Sequence, residues 1–254
     1  MDWKTIKVRF EESICFVQFN RPEAKNTIDA LLIEECHQIL RSYEDTINIV
    51  VFEGLPEVFC FGADFQGIHS HRQSQERSEN NPAPLYDLWL KMTTGSFITI
   101  SHVRGQTNAG GVGFVAASDI VLADDTATFS MSELLFGLFP AMVLPFLIRR
   151  IGFQRAHYLT LMTKPIPAQQ AYNWGLVDAY QEKSENLLRQ HLSRLKKLPK
   201  AGIEQYKNYM ARLNDTVFKC KEIAIAANLE IFSDPRNLEK IYQFAEKGIY
   251  PWEG

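Results

Sequence analysis

No apolar run in this 254-residue chain approaches the roughly 18 residues that a membrane span requires, and the first residues, MDWKTIKVRFEES, lack the apolar core of a signal peptide. These absences predict a cytoplasmic protein without a membrane anchor. Cysteine is scarce: Cys15, Cys36, Cys60 and Cys220 are scattered without C-x-x-C spacing, which argues against a disulfide frame or a zinc site and leaves four buried thiols as the reading. An excess of one charge is also missing. With 27 Lys and Arg against 30 Asp and Glu, the net charge of -3 gives no footprint for nucleic acid or an anionic membrane. No repeat or low-complexity tract is evident.

What is present suits a large core, since 46% of the residues are hydrophobic and 22% charged. Residues 7–19 alternate polar and apolar side chains around Glu11-Glu12-Ser13, which predicts a hairpin. Ile28, Leu31, Leu32, Cys36, Ile39 and Leu40 then recur at helical spacing, with Glu34, Glu35, Gln38 and Arg41 facing elsewhere. Residues 48–54 and 97–103 read as strands, and 86–92 as helix. The polar stretch between 69 and 83 reads as a mobile loop. Beyond Leu144 helices dominate, with breaks at Gly152, Gly175, Pro199, Asp215 and Pro235. The expectation is an α/β class fold with a core over residues 1–195 and a helical C-terminal region over 196–254.

The stretch 103–140, VRGQTNAGGVGFVAASDIVLADDTATFSMSELLFGLFP, concentrates the chemistry. A small-residue helix start at Ala109-Gly110-Gly111 offers unpaired backbone N–H groups and close approach of a ligand. Glu133, between Ser132 and an apolar run, is the carboxylate read together with it. Backbone donors and a carboxylate are the parts needed to form and hold an enolate.

Five segments, in order, resemble the crotonase (enoyl-CoA hydratase/isomerase) superfamily: FNRPEAKNTID, VFCFGADF, HVRGQTNAGGVGFVAASDIVLADDTATF, SELLFGLFP and PIPAQQAYNWGLVD. The resemblance implies a crotonase-like spiral of ββα turns, a helical C-terminal trimerisation region, and a thioester carbonyl held by the backbone amides of Ala63 and Gly110. Each such donor contributes on the order of 3 kcal/mol when aimed at a developing oxyanion. Gly62 and Gly111 would flank the substrate. Hydratases of this family usually carry two glutamates; the first would fall at Gly113 and is missing, while the second matches Glu133. FEGLPEVFCFGADF, SELLFGLFPA, VLPFLIRRIG, IFSDPRN and YPWE are similar to the PksH-type dehydratases of polyketide β-branching cassettes.

That narrower resemblance implies dehydration of a 3-hydroxy-3-methylglutaryl thioester on an acyl carrier protein. No cofactor beyond the carrier's own phosphopantetheine arm and no metal is implied. The assembly implied is a homotrimer or a dimer of trimers. Asn108 is read either as a donor to the substrate or as a helix cap, and Asp64 as shaping the loop of Ala63. For a distal carboxylate the candidates are His69, His71, Arg72, Tyr86, Lys91 and His102. Lys25 and Arg21 are candidates for a phosphate of the carrier arm, and Arg194, Lys196, Lys197 and Lys200 for the acidic carrier itself. An enoyl-thioester isomerase and a non-catalytic thioester-binding subunit remain as alternatives.

Overall fold

A computed structural model describes residues 3–64 and 81–247 of the chain. The alternating segment folds as the expected hairpin: β1 (Ile6–Glu11) and β2 (Ile14–Phe19) pair antiparallel from Ile6↔Phe19 to Glu11↔Ile14. Helix α1 (Ala30–Ser42) follows, with Asp29 as its N-cap accepting from Leu32 N at 2.7 Å. Glu35 corrects the helical reading. It does not face solvent but is buried, and its carboxylate accepts from Lys4 N (2.8 Å) and Thr5 N (2.9 Å), holding the chain just ahead of β1.

The next part of the chain runs repeatedly from a longer strand to a short one and on to a helical segment. The first turn is β3 (Ile49–Glu53), β4 (Val58–Cys60) and α2 (Ala83–Thr94); the second is β5 (Ile98–Val103), β6 (Gln106–Asn108) and α3 (Gly110–Ala117). The third, β7 (Ile120–Ala123) and β8 (Thr128–Ser130), leads to a 3-10 turn at Glu133–Phe136. The longer strands lie parallel in a six-stranded sheet that ends on β10 (Ala179–Tyr180), in the order β1-β2-β3-β5-β7-β10. The short ones form a second sheet with β9 (Ile166–Pro167), in the order β4-β6-β8-β9. This is the expected spiral of ββα turns.

Period-2 alternation explains why the larger sheet is buried on both faces. Along β3, Val50 and Phe52 enter the main core with Phe19, Phe59, Trp89 and Phe114, whereas Ile49 and Val51 meet Leu187, Leu188, Leu192 and Ile203. These last belong to α7 (Ser184–Leu195) and α8 (Lys200–Leu213), which follow α4 (Leu144–Ile151), α5 (Phe153–Met162) and α6 (Ala168–Trp174). The predicted breaks hold: Gly152 and Gly175 have φ near +80° (79° and 82°) between or after helices. Then come α9 (Thr216–Lys219), α10 (Lys221–Ser233) and α11 (Pro235–Lys247).

Lys207 on α8 is buried. Its ammonium donates to Met92 O (3.0 Å) and Phe97 O (2.8 Å) and pairs with Asp119 at 2.6 Å, which satisfies a charge that would otherwise be costly to bury. Cys15, Cys36 and Cys60 are buried free thiols as expected, while Cys220 is only half-buried.

Candidate active site

Two unpaired amides meet where the first and second ββα turns touch. Ile28 N donates to Gly62 O at 2.7 Å, and Asp64 N donates to Ile28 O at 3.1 Å. Successive amides of an extended chain point to opposite sides, so these two bonds leave the N–H of Ala63 facing away from Ile28. Gly110 opens α3, and the first amides of a helix have no partner within it. Among the described residues neither amide has an acceptor. They are close: a Cβ on Gly110 would lie 3.9 Å from Ala63 N, and one on Gly62 would lie 3.3 Å from Gly110 N.

Local backbone makes that approach. Gly62 has φ +93°, a region L side chains avoid, and a Cβ there would stand 2.8 Å from Ala109 Cβ. Gly111 abuts the backbone of Cys60, whose carbonyl oxygen would be 2.3 Å from an added Cβ. Ala109, immediately before α3, is held at φ 50°, ψ -121°, a conformation costing on the order of 1–3 kcal/mol that its surroundings must impose. One visible restraint is the bond from Ala109 N to Ser130 O, 2.9 Å. The strain turns the start of α3 toward Gly62.

Asp64 is held by an ion pair. Arg21 Nη2 lies 2.8 Å from Asp64 and 3.1 Å from Asp29, so one guanidinium ties the loop after Ala63 to the N-cap of α1. That arrangement corrects the reading of Arg21 as a phosphate ligand, since its charge is already spent on two carboxylates. Lys25 is exposed, with its ammonium 5.3 Å from the Phe61 ring centroid and thus beside the Gly62–Ala63 segment.

Glu133 begins the 3-10 turn that Gly137 closes in the left-handed conformation (φ 79°). Its Oε2 is buried without a hydrogen-bond partner among the described residues, and burial pushes the carboxyl up to about 7. A poorly solvated carboxyl of this kind exchanges protons near neutral pH, which suits a general acid or base. Asn108 fixes the turn's position: its Nδ2 donates to Ser132 Oγ (2.9 Å) and its Oδ1 accepts from Ser130 Oγ (2.8 Å). It makes no cap to α3, so the capping alternative is corrected. From the other side, Phe136 and Leu138 pack with Ile231 of α10 and Ile241 of α11.

Gly113 lies against the indole of Trp89: a Cβ there would be 2.3 Å from Cζ2. No glutamate fits there unless the indole moves. Trp89 escapes sequence reasoning because an aromatic residue at helical spacing reads as core; its one distinguishing signal is a polar N–H in a fully buried side chain.

Several expected carboxylate ligands serve elsewhere. Tyr86 is fully buried and donates to Val217 O at 2.6 Å, so its hydroxyl is committed to the core. Lys91 pairs with Glu44 at 2.5 Å, and His102 is buried between Glu53 (3.1 Å) and Ser184 (2.8 Å). Of the basic run, Lys200 donates to the carbonyls of Glu44 and Ile47, while Lys196 lies 3.8 Å from Glu12. His69, His71, Arg72 and most of the predicted 69–83 loop lie outside the described residues, as does YPWE at the end. Among those described, no helix is long and apolar enough to cross a membrane.

The enoyl-CoA hydratase/isomerase family profile matches residues 9–254. The chain is 57% identical over 252 residues to the bacillaene synthase dehydratase PksH of Bacillus subtilis, covering 99% of this chain and 97% of that one. It is 33% identical over 178 residues to the mevalonyl-coenzyme A hydratase sidH of Aspergillus fumigatus, covering 68% and 65%. The crystal structure of PksH from Bacillus subtilis superposes with a TM-score of 0.96 at 56% identity, covering 98% of this chain and 100% of that one. An enoyl-CoA hydratase/isomerase from Xanthobacter autotrophicus Py2 shares the fold at 20% identity, with a TM-score of 0.87 and coverage of 97% and 95%. A ββα spiral, paired backbone amides and a match along nearly the whole chain agree: the chain belongs to the enoyl-CoA hydratase/isomerase family, the crotonase superfamily.

Proposed function

We propose that this chain is a dehydratase of polyketide biosynthesis that removes water from a 3-hydroxy-3-methylglutaryl thioester on an acyl carrier protein, leaving a 3-methylglutaconyl thioester. The observation that carries the chemistry is the carboxyl of Glu133, pushed up to about 7 by burial and with its Oε2 unpartnered among the described residues, on a turn fixed to Asn108 two residues from Gly110. The likeness to the PksH dehydratase supports the reaction class. In this reading the Glu133 carboxylate takes the C2 proton, and the electrons of that C–H bond move onto the thioester oxygen, held by the Ala63 and Gly110 amides. The enolate then re-forms the carbonyl as the C2=C3 double bond is made and the C3–O bond breaks. Glu133, now a carboxylic acid, returns its proton to the departing hydroxyl, which leaves as water. If elimination is syn, one carboxyl does both tasks, and the missing glutamate at Gly113 is no obstacle.

No cofactor is required in this scheme, because the phosphopantetheine arm arrives with the carrier. Lys25 is the cation we assign to that arm's phosphate. We also assign the enzyme to the cytoplasm and to a homotrimer or a dimer of trimers. Support for association is a set of exposed apolar side chains on α5, α8 and α10, among them Phe153, Leu161, Leu213 and Ile223.

Mass spectrometry of the 3-hydroxy-3-methylglutaryl carrier protein tests the reading: incubation with the enzyme removes the mass of one water. Migration of the double bond in a β,γ-enoyl thioester, without water loss from the hydroxy substrate, makes the chain an isomerase instead. Tight carrier binding with no chemistry makes it a scaffold.

A further inference from the structure

Trp89 carries the least explained polar atom of the core. The residue is fully buried, and its Nε1–H has no acceptor among the described residues. A buried unpaired donor costs on the order of 1–3 kcal/mol, so an indole where a phenyl ring would pack calls for a reason. The ring is fixed by edge contacts with Phe114 (centroids 5.9 Å apart) and Phe146 (5.7 Å).

Its position gives the reason. Residues three apart share one face of a helix, and Gly110 and Gly113 are so related on α3. A Cβ on Gly110 would meet Ile28 Cδ1 at 3.0 Å, with Gly62 Cα and Ala63 N at 3.7 and 3.9 Å, whereas one on Gly113 would meet the indole at Cζ2 (2.3 Å), Cη2 (2.4 Å) and Cε2 (2.8 Å), the last being the carbon bonded to Nε1. Along α3 the Gly113 position against the indole is therefore about one helical turn, roughly 4.5 Å of axial rise, from the Gly110 position beside Ala63 N. That separation is comparable to the distance between a carbonyl oxygen and an oxygen on C3 of the same acyl chain.

We propose that Trp89, admitted by the absence of a side chain at Gly113, is a substrate-positioning residue whose indole N–H donates to the oxygen on C3 of a 3-hydroxyacyl thioester. The inference rests on the dehydratase reading for its place in a reaction, but recognition of the C3 oxygen is a binding property. Indole is a donor only. It holds the hydroxyl without competing for the proton that Glu133 returns.

Binding separates this role from packing. In a Glu133→Gln background, which prevents turnover, affinities are measured for the pantetheine thioesters of 3-hydroxy-3-methylglutarate and of 3-methylglutarate, which lacks the hydroxyl. Trp89 gives the hydroxylated ligand an advantage of roughly fivefold to tenfold, the size of one neutral hydrogen bond. Trp89→Phe abolishes that advantage and leaves the affinity for 3-methylglutaryl pantetheine unchanged. Replacement of Trp89 by its benzothienyl analogue, which exchanges N–H for sulfur in the same ring outline, gives the same loss without a fall in Tm, because the unpaired buried N–H is removed with it. An undiminished preference in both variants, or an equal fall in both affinities, overturns the proposal. Failure of the unsubstituted enzyme to release water from the carrier-bound substrate defeats the dehydratase reading instead, and leaves the binding comparison decisive for Trp89.

Discussion

Gly113 and Trp89 occupy one volume between them: the indole Cζ2 stands 2.3 Å from where a Cβ on Gly113 would be. The glutamate that hydratases of this superfamily usually carry at this position is therefore not merely missing but sterically replaced. In the dehydratase we propose, that replacement leaves Glu133 as the acid-base group.

Restoring the glutamate does not restore a hydratase pair. Gly113→Glu forces the Trp89 ring out of its contacts, and overpacking of this kind costs on the order of 1–3 kcal/mol or more. Thermal unfolding shows a lower Tm, and hydration of an enoyl thioester does not rise.

Glu133 is held against its own ionisation, and the sign of its effect on stability follows. A carboxyl lifted by burial from 4.5 to about 7 is protonated in the folded protein and ionised in the unfolded one across that interval, so folding stability falls as pH rises through it. The full effect, above pH 7, is on the order of 3 kcal/mol. Glu133→Gln consequently raises Tm at pH 8 and leaves it nearly unchanged at pH 4.5. An equal shift at both pH values contradicts the assignment.

The same group sets the acid limb of the rate. Proton abstraction needs the carboxylate, so kcat/KM for dehydration climbs with pH through about 7 and levels above it. Glu133→Gln lowers the rate by about a thousandfold or more, and with it C2 hydrogen exchange measured in deuterated water.

Arg21 acts at one remove from the substrate. Arg21→Ala leaves Asp29 and Asp64 without the guanidinium shared between them and frees the loop that aims the Ala63 amide. The expected result is a loss of kcat/KM of roughly tenfold to a hundredfold, the scale of small misplacements in an active site. Steady-state kinetics alongside thermal unfolding separates this from simple destabilisation of about 1–3 kcal/mol.

Asn108→Ala removes both the Ser130 and Ser132 contacts that fix the Glu133 turn. It lowers kcat about tenfold with little change in KM, because the carboxyl loses its position while the amides keep theirs. A change confined to KM would return Asn108 to the role of a substrate ligand.

Much of the architecture was legible in local pattern. Period-2 alternation marked the hairpin, helical spacing marked α1, and glycine and proline marked the ends of the later helices, because each signal comes from residues adjacent in the chain. The one helical face read wrongly, at Glu35, failed because its partners, Lys4 and Thr5, arrive from 30 or so residues away. The candidate ligands Tyr86, Lys91 and His102 failed alike: nearness in sequence to the site says nothing of where a hydroxyl, ammonium or imidazole finds its partner.

The sequence by itself determined the family through its motifs, and with it, by resemblance, the spiral of ββα turns; it also marked the glycines that let backbones approach and singled out Glu133 in its central stretch. Those are properties of local spacing and of residue identity. Only the tertiary structure decided that the amides of Ala63 and Gly110 meet, that Arg21 is spent on Asp29 and Asp64, and that Trp89 fills the space beside Gly113. Each of these depends on segments tens of residues apart, brought together by burial of a shared core, and burial is also what lifts the Glu133 carboxyl toward neutrality.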